Sequence, residues 1–428
     1  MGLKLNKGTC RGQRAADLKI CIVSQTFAPQ EEGGAEISAR LGAVQLGQRH
    51  DVTVLALGKE GDPVAPTGER QLPGGIRLVR IQWNNSYLPL PRKSSVGLIR
   101  RAGWHLRTAL GAVCPQELTQ FLIREKFDLI YAQNSSYMQP ALFIAARQAN
   151  VPVCLHLRDY GLLCPKTSMF RNGKNCERPC FDCSLLKQRV SSLNGSGMTV
   201  IAVSEALRQR FADNGLLQDA KWHVMHNTNA AESSFEASLV GRREPKSKTF
   251  TFGYLGAISE EKGIGDLLQA FSSACDKNDA RLVLAGRGRE NDVKKLKKRA
   301  AGKTVEFTGF VPPENVYRQA DVMVLPSRWH EPQSRILIEA PIYGLPVIGT
   351  MRGGTTEIIN QNQTGWLYDP DQPGALANLL TKAIEIGQDQ WWKQRDTLFP
   401  GIADFKGTAE QSDYYGRLEA VLLSAAAR

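Results

Sequence analysis

The chain has 428 residues, longer than one hydrophobic core ordinarily serves, so two domains are expected. Apolar residues make up 42% and charged residues 22%, which excludes a collagen-like, low-complexity or extensively disordered protein. A formal net charge of +12 favours anionic partners, whether nucleotide phosphates, phospholipid headgroups, phosphorylated saccharides or nucleic acid, and does not choose among them.

From the amino terminus, the first residues are basic but carry no apolar run of signal-peptide length, and no stretch approaches the ~20 apolar residues of a spanning helix. A cytoplasmic protein is expected. Short apolar runs then alternate with longer amphipathic segments, the pattern of parallel strands covered by helices on both faces. The first-half strands are LKICIVS, DVTVLAL, IRLVRIQ, FDLIYA, VPVCLHL and TVIAVS. Between them, the basic segment Arg92 to Arg107 is interleaved with Leu98, Ile99, Trp104, Leu106 and Leu110. It reads as a solvated helix face or as an amphipathic helix lying on the inner face of the cell membrane, a peripheral contact. The basic run Lys294 to Arg299 reads as a solvated face. After a polar passage at 231–248 the pattern restarts with TFTFGYLG, ARLVLAG, VEFTGF, DVMVLPS and LPVIGT. The predicted class is α/β, with doubly wound units at 1–230 and 249–400, a linker at 231–248, and a helix in 401–428 returning to the first unit. Open parallel sheets bind ligands beyond the carboxyl ends of their strands, which directs attention to the following loops.

In the loop after the first strand, Gly33 and Gly34 precede a helix, where free amides attract phosphate or sugar oxygens. The segment RWHEPQSRILIEAPIYGLPVIGTMRGGTTEII is more distinctive. Glu331 closes the loop after DVMVLPS, and Glu339 is expected about two turns into the next helix, so that both carboxylates face one ligand. Carboxylates are good bidentate acceptors for the vicinal hydroxyls of a hexose or a ribose.

Together with GGAE at 33–36, GYLGAISEEKG at 253–263 and LVLAGRG at 282–288, this segment resembles the large retaining family 4 of glycosyltransferases, often called group 1. The resemblance runs in the family's order through both halves. It implies the GT-B architecture, two Rossmann-like domains facing a cleft, and a nucleotide-sugar donor linked to UDP or GDP. It also implies that Glu331 binds donor-sugar hydroxyls near the anomeric carbon, that Glu339 holds the ribose, and that Lys262 neutralises the departing diphosphate. Gly286 and Arg287 would line the base pocket, while Gly34, Gly256 and backbone amides at Ser334, Arg335 and Ile336 would complete the diphosphate and sugar site. The acceptor, in the first domain, would be a saccharide or lipid-linked saccharide of surface polysaccharide or glycolipid synthesis.

The chain departs from the family at two places. Where an arginine usually follows the first glycine of the GRxxxEKG pattern, it has Ala257, so one diphosphate cation is missing; Arg335, Arg287 and Arg158 are candidates to replace it. In HLRDYGLLCP it places Arg158 where relatives carry a histidine between donor and acceptor. Arg158 would clamp an oxyanion near the reacting centre, while His156, two residues earlier on the strand, reads as a buried core histidine.

Of nine cysteines, Cys10, Cys21, Cys114, Cys154 and Cys275 read as incidental. Cys164, Cys176, Cys180 and Cys183 cluster in a polar, turn-rich segment and match a structural zinc site of four thiolates, an iron–sulfur cluster, free thiols or disulfides being the alternatives. Some family members resemble this chain in having a cysteine-rich insertion there. The resemblance further implies front-face displacement with retention, needing no metal or other cofactor for the chemistry. A nucleotide-sugar-binding protein without turnover is the rival reading. A dehydrogenase is disfavoured because no G-x-G-x-x-G follows the first strand, and a nucleic-acid partner because no recognition helix follows the cysteines.

Overall fold

The computed structural model describes residues 18–27, 33–62, 65–85, 97–110, 115–185, 195–228, 249–275, 280–403 and 413–427. The expected linker at 231–248 and the Arg92 end of the basic segment lie outside the described residues. Two sheets carry the fold. The first contains β1 (Lys19–Ser24), β2 (Asp51–Gly58), β3 (Gly68–Leu72), β4 (Ile76–Gln82), β5 (Leu129–Asn134) and β6 (Val153–Leu157). The small hairpin β7 (Phe170–Arg171) and β8 (Lys174–Asn175) interrupts it before β9 (Thr199–Ala202) and β10 (Lys221–Val224) complete the order β10-β9-β6-β5-β1-β2-β4-β3. The second sheet has β11 (Phe250–Leu255), β12 (Ala280–Ala285), β13 (Val305–Gly309), β14 (Val322–Leu325), β15 (Val347–Thr350) and β16 (Gly365–Tyr368), in the order β13-β12-β11-β14-β15-β16. Counted within its own unit that order is 3-2-1-4-5-6, the doubly wound Rossmann arrangement.

The central strands are buried on both faces, which is why they read as unbroken apolar runs. Three described strands of the two main sheets were not expected. β3 (GERQL) is polar and pairs antiparallel at the sheet edge, so it lacks the apolar signal and departs from the all-parallel expectation. β10 and β16 are four-residue edge strands, too short for periodicity to mark them.

The helix Tyr414–Ala426 lies on the first sheet. Tyr414, Leu418, Leu422 and Ala425, spaced along one helical face, join Ile20, Ile22, Val52 and Val54 in one core cluster. Glu419 on the same helix meets Arg49 at 3.0 Å and His50 at 3.1 Å, so chain end and first unit form one folded body. Leu418 is 1% exposed. Leu418→Ala is therefore expected to cost about 2–5 kcal/mol, read as a lower midpoint in chemical denaturation; a wild-type midpoint would show that this helix contributes no core.

Candidate active site

In the second sheet the topological switch falls between β11 and β14, which pair directly. The loops leaving these two strands, 256–263 and 326–335, bring the candidate residues together. Loop 256–263 also runs against 286–288: Ile258 N donates to Arg287 O at 2.8 Å and Gly256 N to Ala285 O at 3.0 Å. A Cβ on Gly286 would overlap the Gly256 carbonyl, and both glycines hold positive φ, near 149° and 148°. Gly286 is thus required by close backbone approach, and Gly256 by its positive φ beside the Tyr254 hydroxyl. Arg287 is exposed, its guanidinium over the Phe310 ring at 4.4 Å.

Glu331 is only 6% exposed yet carries a full set of charge compensation. Lys262 Nζ donates to Oε1 at 2.6 Å, while Ser327 Oγ at 2.7 Å and Trp329 Nε1 at 3.2 Å donate to Oε2. Burial pushes the carboxyl pKa up, but Lys262 and the two neutral donors more than offset this and hold it below the ordinary carboxylate value. Glu331 is therefore an anion at neutral pH. A carboxylate has about four lone-pair sites; three are used here, leaving Oε1 an acceptor position for a hydroxyl. Behind it, Gly354 N donates to Glu331 O at 2.8 Å, and a Cβ on Gly353 would overlap that same carbonyl.

Glu339 stands in the first turn of helix Ile336–Ile342, not two turns in, because 332–335 do not belong to the helix and Arg335 is its N-cap. Its Oε1 accepts from Arg335 Nε at 2.9 Å and its Oε2 from Tyr317 at 2.8 Å, so each oxygen keeps a lone pair for a vicinal diol. Arg335 reaches across to the first domain, 3.4 Å from Ser38 Oγ, and lies so close to Gly34 that a side chain there would meet its Cδ. Ser334 and Ile336 are buried beside it. Ala257, in contrast, is exposed, its carbonyl accepting from Tyr254 at 2.7 Å.

The first domain meets this site along the segment 328–357. Arg158 is bonded to Asn227 and, at 3.0 Å, to Gln133, and lines a small open pocket with Ser38, Thr228 and Tyr414. His156 is fully buried, its Nδ1 2.7 Å from the Tyr131 hydroxyl, and burial together with Arg158 drives its pKa far down. It is a neutral core group. Asn227 N donates to Gln333 Oε1 at 2.6 Å. Glu357 accepts from the amides of Glu205 and Ala206 at 2.8 and 2.7 Å, capping helix Glu205–Asp213 of the opposite domain. Tyr160 donates to His330 O at 2.7 Å, and Asn175 bonds the peptides on either side of Trp329. Trp329, Gln333 and Glu357 fall inside the segment RWHEPQSRILIEAPIYGLPVIGTMRGGTTEII and Tyr160 inside HLRDYGLLCP, but nothing in the sequence singles out these four, or Asn175 and Ser327, as site residues.

The four clustered cysteines share one small region. Cys180 Sγ lies 3.4 Å from Cys183 Sγ, and Cys164 bonds Cys183. That bond, with backbone amides of Lys166, Ser168 and Met169 turned toward the sulfur, brings the Cys164 thiol down to about 6, although burial opposes it. Burial, together with the charges of Cys164 and Cys180, pushes the Cys176 thiol up. The donor set is chemically suited to a soft divalent metal, although among the described residues no three His, Cys, Asp or Glu side chains stand at metal-holding geometry. No helix among the described residues is long and apolar enough to cross a membrane.

Residues 33–228 match the model of a glycosyl transferase 4-like domain and residues 240–396 that of the glycosyl transferases group 1. The chain belongs to the group 1 glycosyltransferases. A 42.6 kDa protein of the cps region of Klebsiella pneumoniae is 22% identical over 344 residues, 80% of this chain and 87% of that protein. The capsular polysaccharide biosynthesis glycosyltransferase CapM of Staphylococcus aureus is 25% identical over 197 residues, 43% of this chain and 52% of its own length. Among solved structures, Anabaena HepE in complex with UDP-glucose superposes with a TM-score of 0.64 at 20% identity, covering 94% of this chain and all of that one. At that identity the likeness establishes the GT-B fold of this glycosyltransferase.

The Lys262–Glu331 pair makes a direct prediction about stability. Lys262→Met strands a buried carboxylate and is expected to cost about 3 kcal/mol at neutral pH, whereas Lys262→Met with Glu331→Gln recovers most of that loss. Without the lysine the Glu331 pKa rises above its unfolded value, so the deficit shrinks as pH falls. Thermal unfolding of the two variants at two pH values tests this; a single variant as stable as the double one would show that Glu331 is compensated elsewhere.

Proposed function

We propose that this glycosyltransferase moves a hexose from a UDP- or GDP-linked donor to a saccharide or lipid-linked saccharide acceptor, with retention at the anomeric carbon. The observation that carries the reading is the pair of half-buried Lys262 and buried Glu331 at the switch point of the second sheet, with Glu339 close by. Glu331 offers its open acceptor position to a sugar hydroxyl, Glu339 its paired oxygens to the ribose, and Lys262 its remaining N–H bonds to the diphosphate. In front-face displacement the acceptor oxygen attacks the face from which the diphosphate leaves, and a diphosphate oxygen takes the acceptor proton. The protein's part is orientation, charge stabilisation and exclusion of water, which calls for no metal in the chemistry.

Arg335 is the best-placed cation to serve where Ala257 leaves none, since it lies between Gly34 and Glu339. Arg158, on the first-domain side, would meet an anionic part of donor or acceptor. The capsular polysaccharide biosynthesis glycosyltransferase CapM supports surface polysaccharide as the product class, and the complex of HepE with UDP-glucose supports UDP as one donor base. A peripheral membrane contact, on the inner face of the cell membrane, is supported by helix Leu98–Ala109: it buries Trp104 and exposes Ile99, Leu106 and the adjoining Leu110 beside Arg100 and Arg107. A second reading, a nucleotide-sugar-binding protein without turnover, is favoured by Ala257 and by Arg158 standing where relatives carry a histidine.

A panel of UDP-glucose, UDP-galactose, UDP-N-acetylglucosamine and GDP-mannose separates these readings. A true donor raises the melting temperature by mass action and releases nucleoside diphosphate, and the product keeps the donor's anomeric configuration by NMR. Stabilisation without release supports the binding protein. Glu331→Ala and Lys262→Ala are each expected to lower turnover about 10²- to 10³-fold, and near-normal turnover in either would sink the assignment.

Structural zinc on Cys164, Cys176, Cys180 and Cys183 is the accompanying proposal. Elemental analysis of purified protein is expected to find one zinc per chain, lost in the Cys176→Ser and Cys180→Ser double variant along with thermal stability. Iron in place of zinc would assign a cluster, and neither metal would leave four thiols.

A further inference from the structure

Between Cys164 and Cys176 the chain forms the hairpin β7–β8, turned by Asn172 and Gly173 with φ of 52° and 73°, the pattern of a type I′ Asn-Gly turn. This hairpin belongs to the first domain but reaches the second. A Cβ added at Gly173 would lie 3.4 Å from Glu260 and 4.0 Å from the Arg328 guanidinium, so the turn stands over both loops that leave the switch point.

The peptide groups of Arg328, Trp329 and His330 form no regular structure, and their bonds can be followed one by one. The amides of Arg328 and Trp329 donate to Glu261 O at 2.9 and 3.3 Å, and Trp329 O accepts from Glu331 N at 2.9 Å. Every other group goes to the first domain. Arg328 O accepts from Asn175 Nδ2 at 2.8 Å, His330 N donates to Asn175 Oδ1 at 2.9 Å, and His330 O accepts from Tyr160 at 2.7 Å. The Asn175 carboxamide therefore stands where a neighbouring strand would, taking the carbonyl of one residue and the amide two residues on. Trp329, held between those two bonds, donates its indole N–H to Glu331, lies 5.1 Å from Lys262 Nζ through its ring, and meets Tyr160 edge-on at 6.0 Å.

We infer that Asn175 is a positioning residue for the transfer reaction: from the acceptor domain it fixes the backbone that carries Trp329, and through Trp329 it sets the Glu331 carboxylate. Glu331 then has its working geometry only when the two domains are together. The inference rests on the reading of Glu331 as the donor-sugar acid. The residue type matters, because the carboxamide holds its donor and its acceptor side by side on separate atoms, as a peptide group does. Aspartate, with the same shape, would set an anion against the Arg328 carbonyl.

The test compares Asn175→Asp and Asn175→Ala with wild type in the full chain. With the panel nucleotide sugar that wild type turns over, kcat is expected to fall ~10- to 100-fold, Asp doing no better than Ala, while affinity for UDP or GDP alone is unchanged. Hydrogen–deuterium exchange of the peptide spanning 326–333 is expected to lose protection at the same time. Wild-type kcat in a folded variant, unchanged exchange, or loss of nucleotide affinity in step with kcat would each overturn the inference. Tyr160→Phe, which removes only the hydroxyl bond to His330, is expected to give the same split in milder form and serves if the Asn175 variants do not fold. If wild type turns over no nucleotide sugar, the proposed function fails on its own, and the exchange measurement still decides whether Asn175 holds the loop.

Discussion

The site depends on keeping one carboxylate charged where water has been displaced. An isolated anion at the depth of Glu331 would take up a proton rather than bear the desolvation cost. The chain prevents this with donors drawn from separate loops: Lys262 from the loop after β11, Ser327 and Trp329 from the loop after β14. Each donor has its own support. Ser327 is fully buried, and its carbonyl accepts from Thr350 at the end of β15. Lys262 precedes Gly263, where a side chain would overlap the Pro326 carbonyl, so the two loops close on each other through a position that tolerates no Cβ. Trp329 is held from the other domain.

That last support links the site to the interface. The stretch from Arg328 to Glu357 supplies Glu331 and Glu339 and also most of what the first domain touches: the peptides held by Asn175 and Tyr160, the Gln333 side chain on Asn227, and Glu357 on the start of helix Glu205–Asp213. Glu357 resembles Glu331 in that burial raises its pKa while its partners, His226 and two helix amides, bring it below the ordinary value. A buried anion within the second domain and a half-buried one across the interface thus depend on domain approach, one through Trp329 and the other directly. Closing the cleft and building the site are the same event.

How much of this the amino-acid sequence discloses depends on the span of each interaction. The central strands are legible because burial on both faces writes an apolar run into four consecutive residues, ICIV in β1 and LVLA in β12. Glu331, Glu339, Lys262 and the glycines are legible because a loop that closes on a ligand packs its chemistry into a short, ordered segment. The depth of Glu339 is misjudged from spacing alone, since the residues from Pro332 onward stay outside the helix until Arg335 caps it. Asn175 and Tyr160 are not legible, because their partners lie 153 to 170 residues away and their residue types are ordinary in a polar loop. The edge strands β3, β10 and β16 fail for the opposite reason: they are local but too short or too polar to carry a period.

The charge pairing bears on how a diphosphate would be accommodated. Lys262 is bound to Glu331 and Arg335 to Glu339, so the donor side is made of two nearly neutral pairs rather than a field of unpaired cations, and Ala257 adds nothing. In the proposed reaction an entering diphosphate meets cations already committed to the two glutamates. It gains most where those cations can serve both partners at once, which a lysine with three N–H bonds and an arginine with five can do. The same sharing favours the transition state. As the glycosidic bond breaks, negative charge grows on the diphosphate beside Lys262 and positive charge on the sugar beside Glu331, so both halves of one ion pair are aligned with the charge separation of the reaction. In water such a pair would be screened to little effect; the closure that buries Glu331 is what makes its electrostatics matter.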